Sequence, residues 1–181
     1  MTTHNSDTTT LNTLIATLLD SVEGYTKSAD DVRDPDLAQR FRSRAQERQS
    51  AVAGLQAAVT RLGGNPEDDS STMGGIHRAF LNLKEAVTGT DDTAIINEIE
   101  RGEDYLKGKF ETALKADDLA PEARSAISTA WNSVKSGHDE MSNLKHQRER
   151  GDSYREGRQD AGAQQEYASE SDLRRQDDTL I

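Results

Sequence analysis

The sequence has no cysteine and only three prolines. The lack of cysteine excludes disulfides, thiolate metal sites and thiol catalysis. Hydrophobic residues make up 33% of the chain and charged residues 30%, which with so little proline is typical of a charged helical bundle and disfavours a β-sandwich or an α/β fold. No apolar run approaches the length of about 20 residues that a membrane-spanning helix needs.

Positive charge is also scarce. The 22 Lys and Arg residues are outnumbered by 33 Asp and Glu residues, so the formal net charge is -11. We expect no sequence-independent nucleic-acid binding, because this requires Lys and Arg to displace phosphate counterions. Binding to an anionic membrane surface is disfavoured for the same reason. Residues 1–10 lack the basic start and apolar run of a signal peptide, and we therefore expect a cytoplasmic location.

What the sequence does contain is a helical repeat. Apolar residues recur at alternating three- and four-residue spacing in four long segments, the pattern of amphipathic helices. The segments run from Thr9 or Thr10 to between Asp31 and Asp34, from Pro35 to Leu62, from Asp92 to Lys115 or Ala116, and from Pro121 to about Gln147. Pro35 and Pro121 suit the first turns of helices, while Gly63-Gly64 is a strong helix-ending signal.

The segments between and beyond these helices complete the predicted architecture. Residues 65–92 form a long connection that carries a shorter helix, from about Met73 to Val87, and this length allows the second and third long helices to run parallel. The apolar repeat stops after His146. We therefore predict an all-α four-helix bundle over residues 9–147, a flexible N-terminus over residues 1–8, and a disordered polar tail over residues 148–181.

Three ionisable residues interrupt the apolar stripes. Glu103 lies between Ile99 and Leu106, His138 lies between Val134 and Met141, and Arg48 lies in the polar middle of the second helix. Counting residues from the turns places all three at nearly one height. Because an unpaired ion at the centre would cost several kcal/mol, we predict a mid-bundle layer in which Arg48, Glu103 and His138 compensate one another. The alternative places Arg48 at the rim and buries Gly102 in place of Glu103.

Four stretches of the sequence resemble a known superfamily. They are Leu11-Asn12 through Glu23-Gly24-Tyr25, Leu62-Gly63-Gly64-Asn65-Pro66, Glu100-Arg101-Gly102-Glu103-Asp104, and Gly137-His138-Asp139. Over about residues 8–147 the chain resembles the ferritin-like superfamily, and more narrowly a functionally uncharacterised bacterial family of ferritin-like four-helix bundles. The resemblance implies a ferritin-like bundle with a short crossover helix between the second and third long helices.

The resemblance also implies a test for a metal site. Ferritin-like oxidases bind two metals mid-bundle through a Glu from two helices and Glu-x-x-His from the other two. Here Leu18 stands where the first Glu is expected, Ser50 where a His is expected, and Lys135 where the Glu before His138 is expected. We therefore expect no cofactor, and hypothesise that a charge-paired layer replaces the metals. The alternative is an iron- or manganese-binding oxidoreductase, whose site would combine Glu23, Glu47, Glu100, Glu103 and His138.

No residue pattern identifies a reaction. The serines lack a Gly-x-Ser-x-Gly turn, and Met73-Gly74-Gly75 lacks the Lys-Ser/Thr of a phosphate loop. We expect a non-enzymatic bundle that forms a dimer or another homo-oligomer, or that binds a protein partner. The ground for this is that Leu14, Leu19 and Phe80 widen the apolar stripes beyond what one bundle buries. A stress-related role is implied by the superfamily resemblance alone.

Overall fold

The computed structural model describes residues 3–68 and 91–177. These residues form four helices: α1 (Thr3–Asp31), α2 (Pro35–Arg61), α3 (Asp92–Leu114) and α4 (Pro121–Asp177). No strand occurs within the described ranges, and the predicted all-α class is confirmed. The predicted crossover helix at about Met73 to Val87 lies outside the described residues.

The helix boundaries follow local capping chemistry. The Asp34 carboxylate accepts hydrogen bonds from the backbone N–H groups of Asp36 and Leu37, and Pro35 occupies the first turn of α2. Asp91 caps α3 by accepting from the Thr93 N–H. At the other end of α2, Gly63 adopts a positive φ of 77°, which a residue with a side chain rarely tolerates.

The N-terminus differs from the prediction. The sequence predicts a flexible segment over residues 1–8, but α1 begins at Thr3. Asp7 is 1% exposed, and its Oδ1 accepts a hydrogen bond from the Ala120 N–H at 3.4 Å. This contact with the α3–α4 connection is distant in sequence, so the local pattern carries no sign of it.

The core draws on all four helices. Its buried members are Leu11, Leu14, Ile15, Leu18, Val52, Leu55, Ala58, Val59, Leu106, Phe110, Ala113, Ala123, Ile127, Ala130 and Val134. Leu14 is thus buried inside the bundle, and Leu19 packs against the same cluster. The sequence predicts that both residues lie outside the core and leave an apolar surface for self-association. This prediction is wrong for Leu14 and Leu19. Phe80 lies outside the described residues.

Hydrogen bonds at both ends of the crossover fix the helix order. The Asn12 side chain donates to the Asn65 carbonyl at 2.8 Å and accepts from the Glu67 N–H at 2.9 Å. The chain re-enters at Asp92, whose carboxylate accepts from the Arg33 and Asp34 N–H groups at 3.0 and 3.2 Å. Since α2 and α3 both start beside the α1–α2 turn, they run parallel, as the length of the crossover predicts.

The chain divides into two compact units, Met1–Asn143 and Leu144–Ile181. The second contains residues 148–181, where the composition predicts a disordered tail. The helix α4 is drawn through this stretch as far as Asp177. The apolar repeat nevertheless stops after His146, so this part of the helix has no apolar stripe to bury, and burial of such a stripe is what stabilises most helices in proteins. None of the described helices combines the length and apolar character that a membrane span requires.

Candidate functional site

A buried ion pair lies at the centre of the bundle. Arg48, near the middle of α2, is 0% exposed, and Glu103, near the middle of α3, is 2% exposed. Arg48 Nη2 donates to both carboxylate oxygens of Glu103, at 2.9 Å to Oε1 and 2.6 Å to Oε2. Arg48 Nη1 donates to Ser133 Oγ on α4 at 2.7 Å. The pair therefore links three helices at one level.

The pairing accounts for how two charges are tolerated in the core. Removing an ion from water costs several kcal/mol, and only close pairing with good hydrogen-bond geometry offsets that cost. Both oxygens of Glu103 are engaged here, so its charge is compensated. The predicted pairing of Arg48 with Glu103 thus occurs, and the alternative with Arg48 at the rim is wrong. Gly102 is half-buried, and Glu103 takes the central position.

Gly137 on α4 makes room for the pair. A Cβ atom at this position would lie 3.1 Å from Arg48 Cζ and 3.1 Å from Glu103 Oε2, and it would overlap Arg48 Nη2. A side chain at 137 is thus incompatible with the guanidinium in its observed place. Gly137 enters the sequence analysis only within the stretch Gly137-His138-Asp139 that carries the resemblance, with no role assigned to it. Its spacing could have predicted its burial, because Gly137 lies three residues after Val134 and four before Met141, both on the apolar stripe.

His138 does not belong to the layer, and the prediction that it would is wrong. Its side chain is 18% exposed, with Nε2 3.0 Å from Asp104 Oδ1 and Nδ1 3.2 Å from Asp139 Oδ1. The three-four spacing allows either 137 or 138 to follow Val134 on the stripe. The helix is rotated so that Gly137 is buried and His138 lies at the edge.

Tyr25 on α1 is the fourth polar residue at this centre. Its ring packs against Phe41 with centroids 5.8 Å apart, and its hydroxyl has no hydrogen-bond partner among the described residues. Burial raises the pKa of Tyr25 well above 10.0, the nearby charge of Glu103 raises it further, and the charge of Arg48 opposes these effects. The phenol is therefore held in its neutral form.

This environment predicts an alkaline instability that Tyr25→Phe removes. As the pH rises past the ordinary pKa of 10.0, the unfolded chain loses the Tyr25 proton while the folded chain keeps it. The free energy of unfolding then falls by up to about 1.4 kcal/mol per pH unit from this group. We expect wild type and Tyr25→Phe to differ by a constant below pH 10.0 and to diverge in favour of the variant above it.

Urea unfolding at a series of pH values measures this divergence. Tyr105→Phe is the matched control, because Tyr105 is 42% exposed. This substitution should leave the dependence of the unfolding free energy on pH above 10.0 as it is in wild type. Parallel profiles for wild type and Tyr25→Phe above pH 10.0 would contradict the assignment.

The residues of the alternative metal site do not converge. Glu23 and Glu47 are exposed and Glu100 is half-buried. Glu47 accepts from Arg44 Nη1 at 2.6 Å, while Glu103 is engaged by Arg48. The described residues contain no group of three or more His, Asp or Glu side chains placed to hold a metal ion. A metal centre of the ferritin-like type therefore does not fit these residues, and the predicted five-residue set is wrong.

A groove between α2 and α4 is the second feature of the bundle. Its volume is about 820 Å³, and it is lined by Glu47, Ser50, Ala51, Gly54, Ala57 and Arg61 of α2 and by Glu122, Ser125, Ala126, Thr129, Ala130 and Ser133 of α4. At one end Arg61 Nε lies 2.5 Å from Glu122 Oε1. Beyond the other end Arg44 Nε donates to Glu140 Oε2 at 2.5 Å. Ion pairs thus join the two helices on either side of a stretch of small side chains.

Comparisons with known proteins bear on the fold. A model described as a domain of unknown function, DUF2383, matches residues 7–116. A solved two-domain protein from Anabaena variabilis, with DJ-1/ThiJ/PfpI-like and ferritin-like domains, matches with a TM-score of 0.64 and 20% sequence identity. The match covers 80% of this chain and 40% of that protein, so the chain spans less than half of its length. No curated protein matches.

Proposed function

The chain belongs to the family of the domain of unknown function DUF2383, and from this premise we propose that it is a non-catalytic ferritin-like bundle that acts by binding proteins, first of all a second copy of itself. The ferritin-like helical fold and the uncharacterised family are the two expectations from the sequence that the comparisons confirm. The non-catalytic and self-associating roles are the proposal.

The Arg48–Glu103 pair carries the non-catalytic part of this proposal. Ferritin-like metal centres gather several carboxylates and two histidines around two cations. In this bundle the buried carboxylate meets a guanidinium, with Nη2 2.6 Å from Oε2. The guanidinium supplies a positive charge directly beside Glu103 and donates a hydrogen bond to each of its two carboxylate oxygens.

The groove between α2 and α4 supports the binding part. Small side chains line both walls, and such walls allow another helix to approach closely. The groove replaces Leu14 and Leu19 as the ground for association, since Leu14 is buried within the bundle and Leu19 packs against its core. A cytoplasmic location and a stress-related role belong to the same proposal, and rest respectively on the acidic, cysteine-free composition and on the superfamily resemblance.

We expect the purified protein to hold only substoichiometric iron, manganese or zinc after aerobic incubation with each ion and desalting. The physical reason is that a cation at the centre would have to displace the Arg48 guanidinium from Glu103. Elemental analysis by plasma mass spectrometry measures the content. Stoichiometric metal that is retained in Glu100→Ala but lost in Glu103→Gln would overturn the proposal, because that pattern assigns the metal to the mid-bundle carboxylate.

A further inference from the structure

We propose that a second copy of this chain docks in the groove, with the two α2 helices crossing antiparallel at Gly54 about a two-fold axis. This inference rests on the proposed self-association and names its surface. The arrangement seats α2 of each copy between α2 and α4 of the other. Such an interface is isologous, so each contact between two different residues occurs twice.

Gly54 is the first observation in favour of this crossing. It lies in the middle of α2, it is exposed, and a Cβ atom built on it would meet nothing within 4 Å. Glycine in a helix interior costs about 1 kcal/mol relative to alanine, and no neighbour within residues 3–68 and 91–151 requires it. A second helix crossing at this point would require it, because the absence of a side chain lets two backbones approach closely.

The surroundings of Gly54 are self-complementary in an antiparallel pairing. Ala51 and Ala57 lie three residues before and after it, and both line the groove. Residues three and seven positions away share one face of a helix. Two α2 helices that cross at Gly54 therefore place Ala51 of one copy against Ala57 of the other, with no large side chain to hold them apart.

Charge complementarity fixes the direction of the crossing. Glu47 lies seven residues before Gly54 and Arg61 seven residues after it, both on the groove. An antiparallel crossing brings Glu47 of one copy level with Arg61 of the other at both ends of the interface. A parallel crossing would place like charges opposite each other. Both side chains are accessible, with exposures of 47% and 57%.

The ion pairs within one chain do not prevent this exchange. Glu47 pairs with Arg44, and Arg61 pairs with Glu122. The Arg61–Glu122 pair is exposed on both sides, so it contributes little to stability, about 1 kcal/mol at most. Arg44 keeps its contact with Glu140 when Glu47 turns towards the other copy. At each end of the interface the four side chains comprise two cations and two anions, so they can form one alternating network. This network selects register and orientation, while the close contact of the small residues provides the affinity.

Sedimentation equilibrium on the full chain, over a range of concentrations, tests the interface. We expect a monomer–dimer equilibrium, and we expect Gly54→Leu to raise its Kd by roughly tenfold or more, because the new side chain occupies the crossing point. Gly108→Leu is the matched control: Gly108 is also exposed on a helix with nothing within 4 Å of its Cβ position, but it does not line the groove. It should leave Kd unchanged.

Charge reversal tests the register. Glu47→Arg alone and Arg61→Glu alone should each weaken the dimer, because each places like charges opposite one another. The double variant should restore Kd towards the wild-type value. The contacts of Glu47 with Arg44 and of Arg61 with Glu122 stay broken in the double variant, so recovery can arise only between copies.

A single engineered cysteine gives an independent readout, since the chain has none of its own. Gly54→Cys should form a disulfide-linked dimer rapidly under mild oxidation, because a residue on the two-fold axis meets its own copy, and Gly108→Cys should not. A dimer that is insensitive to all the α2 substitutions would overturn this interface while leaving self-association intact. A chain that stays monomeric at every concentration would overturn both the interface and the proposed self-association.

Discussion

Glu103→Ala is expected to lower the free energy of unfolding by about 3–5 kcal/mol, because it leaves the Arg48 guanidinium buried without an anion. Arg48 is 0% exposed, so it cannot regain water without opening the junction of α2, α3 and α4. Since a domain of ordinary size is stable by about 5–15 kcal/mol, this one substitution removes a large share of the stability. Equilibrium urea denaturation followed by circular dichroism measures it.

Replacing both partners separates the cost of an orphaned ion from the value of the pair. The double variant Arg48→Met with Glu103→Leu is expected to be as stable as wild type or more so, because apolar residues of similar volume remove both desolvation costs. Glu47→Ala is the surface control. Glu47 also pairs with an arginine of α2, but at 47% exposure, so its loss should cost at most about 1 kcal/mol. A comparably small loss for Glu103→Ala would refute the account of a compensated core pair.

Gly137→Ala is expected to destabilise the protein by about 1–3 kcal/mol, through overpacking against Arg48. The sign of the change in unfolding free energy distinguishes this site from an ordinary helical glycine. At a helical position with free space, replacing glycine by alanine stabilises by up to about 1 kcal/mol. Gly108→Ala should show that gain, since its Cβ would meet nothing within 4 Å. The opposite signs should appear in the same denaturation experiment.

The cost at Gly137 should depend on what occupies position 48. In the background with Arg48→Met and Glu103→Leu, the guanidinium that a Cβ at 137 would overlap is gone. The penalty of Gly137→Ala is therefore expected to shrink or to reverse there, and a double-mutant cycle reports the coupling. An equal penalty in both backgrounds would show that Gly137 is needed for a reason other than room for Arg48.

The predictions for Glu103 and Gly137 concern the same question, which is whether the centre of the bundle has room for metal ions. A ferritin-like centre that binds metals needs space and several free carboxylates. Here the space is taken by Arg48, the buried Glu103 carboxylate is engaged by it, and Gly137 admits the guanidinium. The ion pair therefore links α2, α3 and α4 at the centre of the bundle, and the proposed docking of a second copy uses the groove instead.

The sequence by itself determined the elements and their order. Proline at the starts of α2 and α4, glycine after α2 and the three-four apolar repeat are local signals, and they located both ends of α2 and α3 and the start of α4 to within a few residues. The length of the crossover allows α2 and α3 to run parallel, and the hydrogen bonds at its two ends show that they do. Arg48 and Glu103 were foreseen as partners because polar residues inside an apolar stripe must be compensated, and counting residues from the turns places them at one height.

Only the tertiary structure decided which neighbouring residue faces the centre. A three-four repeat determines which face of a helix is buried with an uncertainty of about one residue, or about 100° of helix rotation. Gly137 and His138 are neighbours and differ by this amount. The final rotation depends on the packing of the other helices, which no local pattern encodes, and glycine adds no hydropathy signal of its own. The extension of α1 to Thr3, the burial of Leu14, and the groove between α2 and α4 likewise depend on contacts between residues far apart in the chain. Such contacts exist only once the four helices have packed together.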